Sequence, residues 1–101
     1  MKPEPLSQRE VELIHVIFQR HPEITGVKIF GSRAKGTHSP HSDVDLAVSG
    51  KLNDLQVEAI AAELDELPLP YHFDVLAFDD IKYPPLREHI ERVGLLLYPK
   101  P

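Results

Sequence analysis

Cysteine is missing from this chain, as are long apolar runs and an excess of basic residues. Without cysteine the protein can form neither a disulfide nor a thiolate zinc site. No apolar run approaches the roughly 20 residues that span a bilayer, and no signal peptide is recognisable, so we expect a cytoplasmic protein with no membrane partner. The net charge of −5 disfavours a nucleic-acid partner, because binding to phosphates depends on basic side chains.

The composition that is present is that of an ordinary globular protein. Hydrophobic residues make up 42% and charged residues 27% of the 101 positions, which suffices for one modest core. We therefore expect a single domain over residues 1–101. A domain of this size leaves no room for a separate unit that would bind an acceptor.

Capping boxes, prolines and apolar patterns predict an alternation of helices and strands. Ser7 with Glu10 begins one helix, and Asn53 with Gln56, or Asp54 itself, begins another. A proline pair opens the last helix, where its missing N–H is tolerated. Predicted strands cover residues 27–30, 43–48, 71–78 and 95–98. The predicted fold class is α/β or α+β, with a mixed sheet of about four strands covered by helices.

The same patterns assign faces to these elements. Val44, Leu46 and Val48 alternate along the second strand and are predicted to face the core, opposite the neighbouring aspartates. In the first helix, the spacing of the polar residues places His15 on the exposed face. Residues 1–6 contain two prolines and are predicted to form a loose arm.

The stretch between the first two strands is the part that indicates chemistry. Gly31 allows the backbone to come close to a ligand, and the amides that follow it can point at an anion. Asp43 and Asp45 stand two apart on the next strand, so both carboxylates leave the same face, roughly 6.5–7 Å apart at the backbone. A phosphate cradle beside paired carboxylates is typical of a site for a metal-bound nucleoside triphosphate.

This arrangement resembles the signature of the nucleotidyltransferase superfamily that includes DNA polymerase beta. The motif runs Gly31-Ser32-x-Ala34-x-Gly36, followed by Ser42-Asp43-x-Asp45. In particular it is similar to the minimal nucleotidyltransferases of bacteria and archaea, among them antitoxins of the MntA type. Such proteins are often paired with a small helical partner of the HEPN type, so the resemblance implies a partner of that kind.

The resemblance also implies a cofactor and a catalytic triad. It implies Mg²⁺, as two ions, with ATP as the substrate, and it makes Asp43 and Asp45 metal ligands. A third acidic residue from a neighbouring strand completes the triad in this family and helps to deprotonate the acceptor hydroxyl. Asp74 matches that position, and it lies mid-strand, where aspartate is disfavoured unless it has a function. The alternative for Asp74 is a solvent-facing edge position.

Asp79 and Asp80 are of the same residue type as the predicted triad. They lie at the predicted strand end, where aspartates are typical of a turn or a helix cap. We therefore do not assign them to the triad.

Five further residues are candidates for binding the nucleotide. Gly31 and Ser32 are expected to seat the triphosphate, with the serine hydroxyl and amide on a β- or γ-phosphate, as the resemblance implies. Arg33 and Lys35 either add positive charge near the leaving pyrophosphate or are simply solvated. Ser42 either orients the loop before the paired aspartates or is an ordinary turn residue.

Three histidines near these segments receive no catalytic role. His38 and His41 flank Pro40 in a predicted loop. Two histidines at this spacing could bind a transition metal, but such residues are more often simply exposed to solvent. His72 precedes Asp74 by two positions and shares its predicted face.

The sequence leaves three alternatives for what the protein acts upon. It transfers a nucleotide monophosphate, AMP above all, to a hydroxyl of a protein partner, as an antitoxin would to a HEPN toxin. Alternatively it modifies a small hydroxylated molecule, or it is a binding subunit whose site has become vestigial. The presence of all three predicted carboxylates argues against the last alternative.

Overall fold

The computed structural model describes residues 5–39 and 42–99, in which the chain forms four α-helices and four strands. In chain order these are α1 Gln8–Gln19, β1 Ile24–Phe30, α2 Ser32–Lys35, β2 Val44–Gly50, α3 Asp54–Asp65, β3 Phe73–Ala77, α4 Pro84–Val93 and β4 Leu95–Tyr98. A short 3-10 turn, Phe78–Asp80, follows β3. The predicted mixed α+β class is confirmed. No helix within these described ranges has the length and apolar character that crossing a bilayer requires.

The four strands form one mixed sheet in the order β3-β2-β1-β4. β1 is antiparallel to both β2 and β4, whereas β2 and β3 are parallel. A parallel pair needs a crossover connection, and α3 supplies it. This crossover places the strand that contains Asp45 directly beside the strand that contains Asp74.

One face of the sheet packs against α1 and α3 and forms the core. Val44, Leu46 and Val48 are all fully buried there, which confirms the predicted inward face of β2. The helices and the other strands contribute further buried side chains, namely Ile14, Ile17, Phe18, Val27, Ile29, Ile60, Leu64, Phe73 and Leu97. Together these apolar side chains supply the main driving force for folding.

The opposite face of the sheet carries α4 and the aspartates. Ile90 of α4 is fully buried, and with Lys28, Ala47 and Ser49 it lines a cavity of about 200 Å³. Ala47 is itself only 2% exposed. Because side chains alternate along a strand, Asp45 leaves β2 on the same face as Ala47.

Both predicted capping boxes are present, and the helices begin where they indicate. Ser7 accepts a hydrogen bond from the amide of Glu10 at 3.2 Å, and Glu10 accepts one from the amide of Ser7 at 2.8 Å. Asn53, rather than Asp54, caps α3, with Gln56 completing the box.

The first strand is longer than predicted. β1 begins at Ile24 rather than at residue 27, because a register irregularity at Gly26 lets Ile24 still pair with Gly50 at the end of β2. The third strand is shorter than the predicted 71–78: it begins two residues later, at Phe73, and it ends at Ala77, where the 3-10 segment follows.

Two predictions about exposure are wrong. His15 is only 6% exposed, because its ring Nε2 donates to the carbonyl oxygen of Leu97 at 2.6 Å and its ring packs edge-on against Tyr98. Leu6, placed in a loose arm by the prediction, is 7% exposed and packs into the core. Residues 1–4 of that arm lie outside the described residues.

Candidate active site

Two of the predicted carboxylates lie side by side on neighbouring strands. In the parallel register of β2 and β3, Asp45 is the direct partner of Asp74. Residues paired in this way project from the same face of the sheet, so both carboxylates point away from the core. The crossover therefore brings together two residues that are distant in the sequence.

The environment of Asp45 favours its protonated form. Partial burial, the negative charges of Asp74 and Asp43, and a hydrogen bond with Asp74 raise the pKa of Asp45 above the ordinary aspartate value. Both burial and nearby like charges disfavour the ionised form of Asp45. A cation between Asp45 and Asp74 would offset the cost of ionising Asp45.

The turn that contains Gly31 lies directly against Asp45. Gly31 has φ 73° and ψ −152°, which an L side chain rarely adopts. A Cβ atom at this position would overlap Oδ2 of Asp45 and lie 3.2 Å from its Cγ. The glycine is thus required both for the backbone conformation and for the close approach of the turn to the carboxylate.

Ser32 begins α2 next to this contact. The first amides of a helix lack intrahelical partners, so the turn offers N–H groups beside the carboxylates. The carbonyl of Ser32 accepts from the amide of Thr37 at 3.0 Å, which closes the loop after the helix. Gly36 ends the helix in the left-handed conformation, with φ 75°.

Of the two alternatives for Arg33, the solvated one is wrong. Its side chain is 3% exposed, so it is not solvated. It donates through Nη2 and Nε to the carbonyl of Ser42, at 2.9 and 3.3 Å, and through Nη1 to the carbonyl of Pro5 at 2.9 Å. Its guanidinium also stacks on the ring of Tyr71, 4.1 Å from the centroid.

The remaining candidates in this region are placed as follows. Ser42 accepts from the amide of Ser39 at 2.9 Å and pairs with its hydroxyl at 3.0 Å, an arrangement that orders the loop before β2. Asp43 is exposed and stands just before β2 rather than inside it. Lys35 is exposed at the end of α2.

His72 contacts two carboxylates, one of which the sequence did not indicate. Its Nε2 lies 3.2 Å from Oδ1 of Asp74, and its Nδ1 lies 3.5 Å from Oδ2 of Asp65. Asp65 also accepts from the amide of Phe73 at 3.2 Å. No local pattern marks Asp65, because it is the last residue of α3 and reaches β3 only through the crossover.

The other aspartates and histidines stand apart from this group or are not described. Asp79 and Asp80 lie in the 3-10 turn after β3, as predicted, and Asp79 accepts from the amide of Gly50 at 3.2 Å. Nδ1 of His38 is buried and has no hydrogen-bond partner among the described residues. His41, its predicted counterpart, lies outside them.

The carboxylates suit a divalent cation, although they are not yet arranged as a closed site. Among residues 5–39 and 42–99, no three His, Asp or Glu side chains are grouped so that they could hold a metal ion as they stand. The paired carboxyl oxygens of Asp45 and Asp74 are nevertheless the kind of ligand that Mg²⁺ prefers, and their mutual repulsion would be relieved by it. The residues present therefore fit such an ion.

A comparison of sequences decides the family. The profile of the family described as Polymerase beta, Nucleotidyltransferase matches residues 12–101. The chain belongs to this nucleotidyltransferase family. The matched residues include the Gly31 turn, the parallel strands β2 and β3, and α4. A comparison with curated proteins finds no significant match.

Solved structures with the fold of this nucleotidyltransferase include complexes of toxins with antitoxins. A toxin–antitoxin structure with AMP-PNP has a TM-score of 0.76 and 20% identity, over 89% of this chain and 73% of that one. The tri-AMPylated Shewanella oneidensis HEPN toxin with MNT antitoxin gives 0.72 and 17%, over 94% and 74%. An MntA–HepT toxin–antitoxin structure gives 0.71 and 18%, over 93% and 74%. At these identities the likeness shows the fold alone.

Proposed function

We propose that this nucleotidyltransferase transfers AMP from ATP to a hydroxyl group of a protein partner, with tyrosine favoured, and that the partner is a HEPN-type toxin. The observation that carries the proposal is the contact of the Gly31 turn with Asp45, which itself pairs with Asp74. The turn proposed to seat the triphosphate thus adjoins a pair of carboxylates. The structural neighbours described as AMPylated or AMP-PNP-bound complexes support the choice of nucleotide and partner.

In this proposal each residue has a defined task. Asp43, Asp45 and Asp74 would hold Mg²⁺, which when bound neutralises charge on the phosphates and on the attacking oxygen. Gly31 and Ser32 would seat the triphosphate through backbone amides and the serine hydroxyl. A carboxylate oxygen of Asp74 would take the proton of the acceptor hydroxyl. The new bond joins the acceptor oxygen to the α-phosphorus, and the bond to the β-phosphate bridge breaks to release pyrophosphate.

Two features of the described residues and the charge of the chain support a separate protein as the acceptor. The described residues form one core around one sheet, and they provide no second unit to hold an acceptor. The net charge of −5 disfavours a nucleic-acid acceptor. An acceptor hydroxyl on a folded partner requires neither a second unit of this chain nor a basic surface that binds nucleic acid.

The test uses ATP labelled at the α-phosphate, Mg²⁺ and a purified HEPN-type protein from the same genome. We expect the label on the HEPN protein with the wild type, none with Asp43→Asn or Asp45→Asn, and full labelling with the control Asp80→Asn. Label found only on small hydroxylated compounds would replace the protein acceptor by a small one. If Asp43→Asn neutralised the toxin fully in cells without any labelling, a binding subunit would be the correct description.

A further inference from the structure

We infer that Arg33 is a positioning residue that holds three segments of the active site in register before any ligand binds. These segments are the Gly31 turn, the loop that leads into Asp43, and the approach to β3 with Asp74. Arg33 and His15 are the polar or charged side chains found buried among the described residues. A buried guanidinium is expensive unless its donors are satisfied, so its partners show what it stabilises.

The first partner is the carbonyl of Ser42. Two guanidinium donors converge on this oxygen, at 2.9 and 3.3 Å. Arg33 follows Ser32 directly in α2, and Ser42 directly precedes Asp43. These bonds therefore fix the distance between the candidate phosphate turn and the first candidate metal ligand.

The second partner is the ring of Tyr71, on which the guanidinium stacks at 4.1 Å. The hydroxyl of Tyr71 donates to Oε2 of Glu10 in α1, and Glu10 is itself held by the capping box with Ser7. Tyr71 lies two residues before β3, so the stack holds the entry of that strand. Glu10 thereby shares Tyr71 as a partner with Arg33, so the stack also connects α1 to the Gly31 turn.

The third partner is the carbonyl of Pro5, which accepts from Nη1 at 2.9 Å. Arg33 thereby joins the backbone at Pro5 to the backbone at Ser42. Only a planar fork with several donors can serve two carbonyls and stack on a ring at once. A lysine at this position keeps the charge but not the geometry.

The experiment compares Arg33→Met and Arg33→Lys with the matched control His15→Met, which removes the other buried polar side chain and its bond to Leu97. Two quantities are measured on the purified chain. One is amide hydrogen exchange at residues 42–45 without ligand, relative to exchange in α3. The other is the Mn²⁺ concentration that gives half of the maximal rise in melting temperature.

The metal measurement rests on the proposed function, whereas the exchange measurement does not. We expect both Arg33 variants to exchange faster at residues 42–45, and to need about tenfold more Mn²⁺, as is usual when a residue behind a metal ligand is lost. His15→Met should lower the melting temperature and change neither quantity. If Arg33→Met does not fold, Arg33→Lys carries the comparison.

Three outcomes decide between the alternatives. Equal exchange at residues 42–45 in the Arg33 variants and in His15→Met would overturn the inference. Faster exchange with an unchanged Mn²⁺ requirement would also overturn it, because the positioning of these segments by Arg33 would then have no effect on metal binding. If even the wild type did not respond to Mn²⁺, the metal part of the proposed function would fail, while faster exchange in the Arg33 variants would still support the ordering role.

Discussion

Asp45 and Asp74 occupy directly opposed positions on the parallel strands β2 and β3. Partial burial raises the pKa of Asp45, and the negative charges of Asp74 and Asp43 and a hydrogen bond with Asp74 raise it further. We therefore expect the ionised form of Asp45 to lower the stability of the metal-free fold. A cation held between Asp45 and Asp74 would offset this cost.

Replacing Asp45 by asparagine should therefore stabilise the metal-free protein while weakening its response to metal. With a raised pKa, the folded state holds the proton more tightly than the unfolded chain. The carboxyl group thus costs stability at pH values above its folded pKa, and the cost fades as the pH falls towards the ordinary aspartate range. Asp45→Asn should raise the melting temperature near neutral pH, and Mn²⁺ should bind at least about tenfold more weakly.

Thermal denaturation with and without Mn²⁺ measures both effects. The control is Asp80→Asn, which removes one exposed carboxylate from the 3-10 turn beyond the far end of β3. A melting temperature of Asp45→Asn below that of the wild type, at neutral pH and without metal, would contradict the repulsion described here.

Replacing Gly31 by alanine should damage both the fold and the site. The added methyl group would overlap the carboxylate of Asp45, and the backbone there has a positive φ of 73°. We expect a loss of about 1 kcal/mol or more in the free energy of unfolding, and loss of ATP binding. The matched control is Gly26→Ala in the same strand region, where the methyl group would meet only the carbonyl of Tyr98 at an ordinary 3.6 Å.

Chemical denaturation and titration with ATP check this comparison. If Gly31→Ala bound ATP as tightly as Gly26→Ala does, the turn would not contact the nucleotide.

Replacing Glu10 by glutamine should change how stability depends on pH. Burial alone would raise the pKa of Glu10, but hydrogen bonds from Tyr71 and Ser7 and the charge of Arg33 lower it below the ordinary glutamate value. A lowered pKa contributes stability above the ordinary glutamate value, and this contribution is lost as the pH falls through the folded pKa. Glutamine preserves the capping box but cannot ionise.

The wild type should therefore be more stable than Glu10→Gln near neutral pH, and the difference should vanish as the pH falls from about 7 to about 3. Free energies of unfolding at several pH values measure it. A difference that did not change with pH would show that the charge of Glu10 is not what stabilises the contact with Tyr71.

Truncating the centre of the core should cost far more than truncating a surface leucine. Leu46 is fully buried between the helices and the sheet, whereas Leu55 at the start of α3 is 76% exposed. Leu46→Ala should lower the free energy of unfolding by about 2–5 kcal/mol, and Leu55→Ala by less than about 0.5 kcal/mol. Urea denaturation of both variants gives the two values. Similar losses of unfolding free energy in the two variants would contradict the central position of Leu46 in the core.

Much of the fold follows from patterns that span only a few residues. The capping boxes at Ser7 and Asn53 mark the helix starts that the structure shows, and the alternation of Val44, Leu46 and Val48 identifies the buried face of β2. These patterns are readable because caps and strand alternation act between residues close in the chain. The positive φ of Gly31 is likewise consistent with a glycine at a tight turn.

What the sequence by itself determined, then, is the set of elements, their order, the core face of β2 and the Gly31 motif that identifies the family. Only the tertiary structure decided which distant residues meet. It gave the register that sets Asp74, which the resemblance had placed on a neighbouring strand, directly opposite Asp45. It also buried Arg33 against Ser42 and Tyr71 and turned His15 inwards to the carbonyl of Leu97. The physical reason is that these contacts join segments far apart in the chain, and they form only when α1 and α3 pack on the sheet. Local sequence patterns depend on residues close in the chain and do not specify that packing.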